Sequence, residues 1–238
     1  MMLGIDTAGE ILSVAVISED RVHGSRTLPQ PNAHDAMLAP LIRELLTGCG
    51  LTPADLTGIA VSAGPGSFTG LRIGMAMAKG LAATLRISLA TVSALDALAF
   101  AVNRARPTAD DGTPFPDDGT LVAVLDARRE QLYHAAFPLS GGEERWRGQA
   151  ALSRAEDLAA ALPGDSLLVG DGAPVLARLC PFPVRLLPGV AADATDVALL
   201  GSRRIAAGDT ADPATCEPMY MQEFIVKQAK NTLFPSAD

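Results

Sequence analysis

The 238-residue sequence contains few cysteines and no long hydrophobic run. The first shortage argues against a disulfide-stapled protein, and the second argues against a membrane-spanning one. Its three cysteines lie far apart without metal-ligand spacing, and their odd number favours free thiols in a reducing cytoplasm over a disulfide framework. Although 48% of the residues are hydrophobic, no run reaches the roughly 18–20 residues that cross a bilayer, so we expect no membrane segment. The amino terminus lacks the pattern of a signal peptide and is typical of a strand.

Positive charge is also scarce. The chain carries 19 lysines and arginines against 27 aspartates and glutamates, a formal net charge of −8, and only three of the basic residues are lysines. A chain with this excess of negative charge repels the phosphate backbone of nucleic acid, so we do not expect it to bind nucleic acid alone. Any contact with RNA requires a partner that supplies the positive surface.

Histidine is equally rare, and the three histidines include no pair at the spacing of metal ligands. His34 opens a predicted helix, but the sequence identifies no nucleophile beside it, so we interpret it as a surface or interface residue rather than a general base. A peptidase would need a nucleophile–base pair or a set of metal ligands, and neither is visible in the sequence.

The most distinctive stretch that is present is the glycine-rich run GPGSFTGLRIG at 64–74. It follows an apolar strand at 58–62 and leads into a helix at 71–85, and backbone N–H groups at a helix amino terminus suit an anion. The run lacks the lysine of a P-loop and the G-x-G-x-x-G pattern of dinucleotide-binding turns. The candidates for an anion or nucleotide loop, together with the turn after the first strand, are Asp6, Thr7, Gly64, Gly66, Ser67, Thr69 and Gly70.

The alternative is that these glycines only let the backbone turn sharply and the helix approach the sheet closely. Because the run has no lysine, we favour this structural interpretation, although Arg72 in the first helical turn could face an anion. Asp6 has the same two interpretations, since an aspartate after a strand also caps a tight turn.

Strands and helices alternate along the chain after an initial meander, which is typical of an α/β fold. In the first half, strands are predicted at 3–6, 12–17, 21–28, 58–62 and 87–92. Helices are predicted at 34–46, 71–85 and 93–102, and Thr52 to Asp55 reads as the capped start of a further helix. In the second half, the prediction is a strand at 166–170 and helices near 153–162, 174–179 and 193–207.

A stretch with almost no apolar residues, 105–119, separates two halves that begin alike. Residues 125–136 can be laid over residues 5–16, which pairs Asp6 with Asp126 at the end of a strand. We therefore expect a duplicated fold. Its parts are an amino-terminal subdomain at 1–104, a linker at 105–119, a smaller carboxyl-terminal subdomain at 120–222 and a tail at 223–238.

The helix at 71–85 is apolar almost all round, whereas a helix on one face of a sheet should be amphipathic. The helix at 34–46 could cover its second face, but that helix also carries a broad apolar stripe, so apolar surface is left for a partner. Small side chains and methionines would permit a close and adaptable contact. The residues predicted to bind a partner are Met37, Leu38, Leu41, Arg72, Met75, Ala78, Lys79 and Ala82.

Four segments between residues 2 and 222 resemble those of the TsaB (YeaZ) family: GIDTAGEILSVAV, GPGSFTGLRIG, LDARREQLYHAAF and EPMYMQ. The resemblance implies the fold of the actin, sugar-kinase and Hsp70 superfamily, with duplicated α/β domains of which the second is smaller and degenerate. It also implies that Asp6 and Asp126 occupy the positions that hold Mg-nucleotide in that superfamily.

A function follows from the same resemblance. Members of the family are non-catalytic partners of the transferase TsaD in forming N6-threonylcarbamoyladenosine at position 37 of tRNA, together with the small ATPase TsaE. The resemblance implies a homodimer when the chain is alone and a heterodimer with a TsaD-like paralogue. It further implies tRNA contact only through the complex, no intrinsic cofactor, and ATP or ADP only at a complex interface. The alternative is an enzyme, either an ATP-binding phosphotransferase or a peptidase that acts on its paralogue.

The resemblance can be tested at the metal site of the paralogue. TsaD holds its metal through two histidines four residues apart in the pattern V-x-H-x-E-x-H. The corresponding run at 92–98 reads VSALDAL, which puts Ala94 and Leu98 where the histidines would be. Because neither side chain can coordinate a metal, we expect no metal site of this kind and no catalytic residues.

Overall fold

A computed structural model describes residues 1–29 and 34–221, which form two five-stranded sheets. The strands of the amino-terminal half are β1 (Met2–Asp6), β2 (Leu12–Ser18), β3 (Arg21–Leu28), β4 (Gly58–Gly64) and β5 (Ser88–Ser93). Its helices are α1 (His34–Gly48), α2 (Phe68–Leu85) and α3 (Ala94–Ala105). The predicted tail at 223–238 and the side chain of His34 lie outside the described residues.

The carboxyl-terminal half repeats this pattern with shorter elements. Its strands are β6 (Thr120–Asp126), β7 (Gln131–Pro138), β8 (Ala151–Arg154), β9 (Leu167–Val169) and β10 (Arg185–Leu186). Its helices are α4 (Ala155–Ala161), α5 (Ala173–Leu179) and α6 (Ala194–Ala206). Between the halves, residues 106–119 are described throughout and contain no helix or strand.

The two sheets have the same connectivity. The strand order is β3-β2-β1-β4-β5 in the first sheet and β8-β7-β6-β9-β10 in the second. In each, the first three strands are antiparallel neighbours, and the last two run parallel to the first strand. Asp6 and Asp126 therefore end equivalent strands, and the predicted duplicated α/β fold with a smaller second half is confirmed.

Three local predictions differ from the structure. Thr52 and Asp55 do form the predicted capping box, but it closes only a three-residue 3₁₀ turn because the backbone becomes extended at Leu56. The helix predicted from residue 71 begins earlier, at Phe68, since Ser67 caps it. The strands β8 and β10 were not predicted, because runs of four and two residues carry no periodic signal.

Helices lie on both faces of the sheets. α1 and α2 pack side by side on one face of the first sheet, whereas α4 and α5 pack together on the outer face of the second. α6 belongs in sequence to the second half, yet it crosses β1, β2, β4 and β5 of the first sheet. α3, which ends the first half, contacts both α6 and the second sheet. Each half thus contributes its last helix to the layer that joins the two sheets.

Candidate functional site

The glycine-rich loop packs directly against the turn that follows β1. The Ser67 amide donates a hydrogen bond to the Ala8 carbonyl oxygen at 2.7 Å, and the Gly70 amide donates to Ser67 Oγ at 3.2 Å. A Cβ atom at Gly70 would lie 2.1 Å from the Thr7 carbonyl oxygen, and one at Gly66 would lie 2.3 Å from that of Ala8. The glycines therefore permit an approach of backbone to backbone, which supports the structural interpretation of this loop.

Several hydrogen-bond donors that an anion would need at this loop already bind other atoms of the chain. The amides of Ser67 and Gly70 already donate to oxygen atoms of the protein. Arg72 donates from Nε to Tyr220 Oη at 3.0 Å, and its guanidinium lies 3.8 Å from the centre of the Phe68 ring. The remaining loop candidates, Gly64 and Thr69, flank these groups. Anion binding here stays a prediction.

Asp6 ends β1 beside the layer that joins the two sheets. Its carboxylate accepts a hydrogen bond from the Ala8 amide at 3.0 Å, so it caps the turn that follows. Burial is the main cause that raises the pKa of Asp6 to about 6, and the negative charges of Asp193 and Asp196 act in the same direction. The next side chain, Thr7, is fully buried, and its Oγ1 makes no hydrogen bond within the described residues.

Asp126 repeats the turn geometry of Asp6 in the second half. Its Oδ1 accepts a hydrogen bond from the Arg128 amide at 2.7 Å, two residues on, as Asp6 does from Ala8. Its own amide donates to Asp171 Oδ1 at 2.9 Å. Unlike Asp6, Asp126 is exposed. Both aspartates therefore act as turn caps, and a role for either in holding Mg-nucleotide stays a prediction.

A pair of reciprocal ion pairs joins α3 to α6. Arg204 on α6 donates to Asp96 Oδ2 near the start of α3 at 2.5 Å, and Arg104 on α3 donates to Asp196 Oδ1 near the start of α6 at 3.0 Å. Burial raises the pKa of both carboxyls, and the arginines oppose that shift. In each repeat the arginine follows its own helix's aspartate by eight residues. That equal offset is visible in the sequence.

Five of the eight side chains predicted to bind a partner are instead inside the core of the chain. They are at most 7% exposed and pack between the helices and the first sheet: Leu38, Leu41, Met75, Ala78 and Ala82. α2 buries the helical stripe that contains Met75, Ala78 and Ala82 against β4, so this stripe is not available to a partner. The assignment of these five residues to a partner contact is corrected accordingly.

The surface that α2 presents lies on its opposite side. We call it the open face of α2; Ala76, Gly80 and Ala83 are exposed on it, and Ile73 and Met77 are half-buried along it. The other three predicted partner residues lie outside the core, because Arg72 is exposed and Met37 and Lys79 are half-buried.

Residues 211–221, which we call the strap, run along one side of α2. The strap begins where the Ala211 amide donates to the Leu89 carbonyl oxygen at 2.7 Å. Lys79 Nζ then donates to the Cys216 carbonyl oxygen at 2.9 Å. At the far end Tyr220 packs on Phe68, with 5.1 Å between the ring centres. A groove of about 510 Å³ lies between the strap and α2. The strap is a feature that sequence reasoning missed.

The structure also brings together one serine and one histidine. His134 Nε2 on β7 lies 2.9 Å from Ser153 Oγ on the neighbouring strand β8. Burial lowers the pKa of His134, which favours its neutral form, as a general base requires. Within residues 1–29 and 34–221, no carboxylate hydrogen-bonds the ring to orient it. The pair has the spacing of a nucleophile and a base but not the third group of a triad.

Ala94 and Leu98, the positions that the resemblance aligns with the metal-binding histidines of TsaD, lie in the first turns of α3. Leu98 is 4% exposed and packs in the core that the two halves share. Among the residues that the structure describes, no three histidine, cysteine, aspartate or glutamate side chains are grouped to hold a metal ion. The same residues include no helix long and apolar enough to span a bilayer.

The duplicated sheets, each with an antiparallel three-stranded meander followed by parallel strands, define a protein of the actin, sugar-kinase and Hsp70 superfamily. Within this class, the family model of TsaD, tRNA N6-adenosine threonylcarbamoyltransferase, matches residues 27–168. The TsaB protein of Buchnera aphidicola is 30% identical over 177 residues, which cover 72% of this chain and 79% of that protein. The chain therefore belongs to the TsaB (YeaZ) family.

Two further comparisons agree with this family. The Bacillus subtilis tRNA threonylcarbamoyladenosine biosynthesis protein TsaB is 36% identical over 141 residues, which cover 59% of this chain. That alignment spans only 56% of the Bacillus subtilis protein, little more than half its length. The structure of YeaZ from Pseudomonas aeruginosa is 27% identical with a TM-score of 0.76, and the match covers 92% of this chain and 98% of that one.

Proposed function

We propose that this chain takes part in forming N6-threonylcarbamoyladenosine at position 37 of tRNA as the non-catalytic partner of a TsaD-type transferase. One observation carries the proposal: the transferase family model matches residues 27–168, and within that range Ala94 and Leu98 stand where the resemblance places the metal-binding histidines. An alkyl side chain cannot coordinate a metal ion, and the side chain of Leu98 packs in the hydrophobic core. The names of the TsaB relatives support the same modified nucleoside as the product.

The partner that we propose is a TsaD-like paralogue, and the surface that we assign to it is the open face of α2. Ala76, Gly80 and Ala83 leave room for the backbone of a partner element to approach, and the methionines beside them can adapt to its shape. The mostly apolar character of this face favours a protein contact. A second copy of the chain would use the same face to form a homodimer in the absence of the paralogue.

We further propose that tRNA reaches the chain only through the complex. The net charge of −8 disfavours a phosphate backbone, so the partner must provide the positive surface. The chain itself needs no cofactor under this proposal, and ATP or ADP would bind only where two subunits meet. A TsaE-like ATPase would complete the assembly, and the reaction would take place in the cytoplasm.

Reconstitution with one component omitted tests this function. Transfer of the threonylcarbamoyl group to tRNA is measured with the TsaD-like protein and the ATPase, with and without this chain. We expect transfer to require the chain and the chain alone to have no turnover. Undiminished transfer in its absence, or turnover by the chain alone, would contradict the proposal. An added Ala160→Arg variant, altered on the exposed side of α4, should support full activity and serves as the control.

A peptidase that acts on the paralogue is the second candidate, and the close approach of His134 and Ser153 is the observation that favours it. Incubation of the chain with the intact paralogue, followed by mass measurement of both proteins, tests it. Cleavage that Ser153→Ala abolishes would support the peptidase. An uncut paralogue after prolonged incubation would reject it, and we expect this result because the ring of His134 has no carboxylate to orient it in the described structure.

A further inference from the structure

Both charged side chains of α2 are cations, and they lie on the same side of the helix. Arg72 and Lys79 are separated along the axis by about 10 Å, or roughly two turns. Each is three or four residues from Ala76, so the three side chains share one stripe of the helix. Ala76 belongs to the open face, and all three side chains line the groove beside the strap. The cations therefore stand at the edge of the open face that adjoins this groove.

Neither cation is neutralised within the part of the chain that the structure describes. Arg72 Nε donates to the Tyr220 hydroxyl at 3.0 Å, and Lys79 Nζ donates to a carbonyl oxygen of the strap at 2.9 Å. Both acceptors are uncharged, and no described carboxylate forms an ion pair with either side chain. Each cation keeps further N–H groups, since a guanidinium and an ammonium each carry several. The groove holds two cations against one carboxylate, that of Glu217, in a chain whose net charge is −8.

We propose that Arg72 and Lys79 bind carboxylates of the protein that docks on the open face of α2, and that they disfavour a second copy of the chain at that face. The carboxylates are those of the TsaD-like paralogue, so the assignment rests on the proposed function. A hydrogen bond from a guanidinium or an ammonium to a carboxylate is stronger than one between neutral groups. The two cations thus select a partner element whose acidic side chains are spaced by about 10 Å, as the cations are.

A second copy of the chain fits this edge less well. Two copies related by a two-fold axis bring the same surface together, so a contact between their α2 helices gathers four cations and no carboxylate from the helices. The two Glu217 side chains offset only half of that charge. Like charges held close together disfavour association, and the apolar contacts of the open face must outweigh them in a homodimer. The same two side chains therefore favour exchange of the homodimer for the heterodimer.

Neutralising both cations tests this selectivity, because the two complexes should respond in opposite directions. The variant combines Arg72→Gln with Lys79→Gln, since glutamine keeps an N–H donor for the strap. Calorimetry measures the affinity for the TsaD-like protein, and sedimentation equilibrium measures the affinity of the homodimer. We expect the heterodimer to weaken and the homodimer to tighten, each by about threefold to tenfold for two partly exposed charge pairs.

Two controls separate the position of the charges from other effects. Arg129→Gln with Arg178→Gln removes two exposed cations from the second half and changes the net charge equally. It should leave both affinities within about twofold, because salt screens distant exposed charges. Tyr220→Phe removes the hydrogen bond from Arg72 but keeps the cation, so it should not shift the two complexes in opposite directions.

The outcomes distinguish this selectivity from the proposed function. A heterodimer that does not weaken in the variant without the two cations, or a homodimer that does not tighten, overturns the charge selectivity alone. Opposite shifts of the same size in either control overturn it as well. If the natural chain does not bind the TsaD-like protein at all, the proposed function fails together with it.

Discussion

Arg204 lies 2.5 Å from the carboxylate of Asp96, and this contact ties the last helix of the second half to the last helix of the first. Both side chains are largely buried, at 13% and 5% exposure. Arg204 also donates to the Thr91 carbonyl oxygen at 2.6 Å, and Asp96 accepts from the Gly148 amide at 3.0 Å. Because every partner lies in a different element, the contact fixes the relative position of the two sheets.

Removal of Arg204 should therefore destabilise the whole protein. Arg204→Met leaves the Asp96 carboxylate buried without its cation, which costs about 3 kcal/mol when one partner of a buried pair is lost. Arg104→Met is the matched variant, and it should cost less, about 1–2 kcal/mol, because half of the Arg104 side chain is exposed to water. Urea unfolding measures both. Equal losses would contradict the assignment of Arg204 as the main tie between the halves.

Asp6 should make the stability of the protein depend on pH. Its pKa is about 6 in the folded state against 3.8 for an ordinary aspartate, so the folded state binds the extra proton between these values. The free energy of unfolding should therefore fall as the pH rises from about 4 to 6, by about 2–3 kcal/mol from this group. Asp6→Asn should remove that part of the slope in unfolding experiments at several pH values.

Asp126→Asn is the control for this pH dependence, because Asp126 caps the equivalent turn in the second half but is exposed. It should leave the slope between pH 4 and 6 unchanged. If the Asp6→Asn variant and the natural protein showed the same slope, the pH dependence of stability would come from a group other than Asp6. Asp96 and Asp196 would then be the next groups to examine, because burial raises their pKa values too.

The sequence predicted the repeated fold because its signals are local. The aspartate, tight turn and strand recur at Asp6 and Asp126, and every strand and helix of the first half was predicted within a few residues. The additional helix at Thr52 was wrong, since a capping box specifies a start but not the residues that must follow it.

The candidate surface was harder to predict because the outward side of a helix depends on its neighbours. α2 is apolar almost all round, and composition alone could not decide that Met75 and Ala78 face β4 while Ala76 and Gly80 face outward. The strap joins α2 to residues almost 150 positions later, as in the hydrogen bond from Arg72 to Tyr220. Such a contact has no periodic signal in the sequence.

The glycine-rich loop should tolerate no side chain at Gly70. A Cβ there would lie 2.1 Å from the Thr7 carbonyl oxygen, and backbone cannot move aside as a flexible side chain can. Gly70→Ala should therefore destabilise the protein by about 2–3 kcal/mol, despite the better helix propensity of alanine. Gly80→Ala, in the same helix with nothing within 4 Å, should stabilise it by about 0.5–1 kcal/mol. Thermal unfolding of both variants checks the opposite signs.

A charged residue should have opposite effects on the open face of α2 and on the buried side of the same helix. Ala76→Arg places a charge on the exposed side, so it should keep the fold and weaken binding to a TsaD-like protein by tenfold or more, on the order of 1.4 kcal/mol. Met75→Lys, one residue away, buries an unpaired charge against the first sheet and should unfold the chain instead. Binding is measured by calorimetry and folding by circular dichroism. If the Ala76→Arg chain folded and bound with unchanged affinity, the partner surface could not be the open face of α2. If the Met75→Lys chain folded, the core position of that methionine would be contradicted.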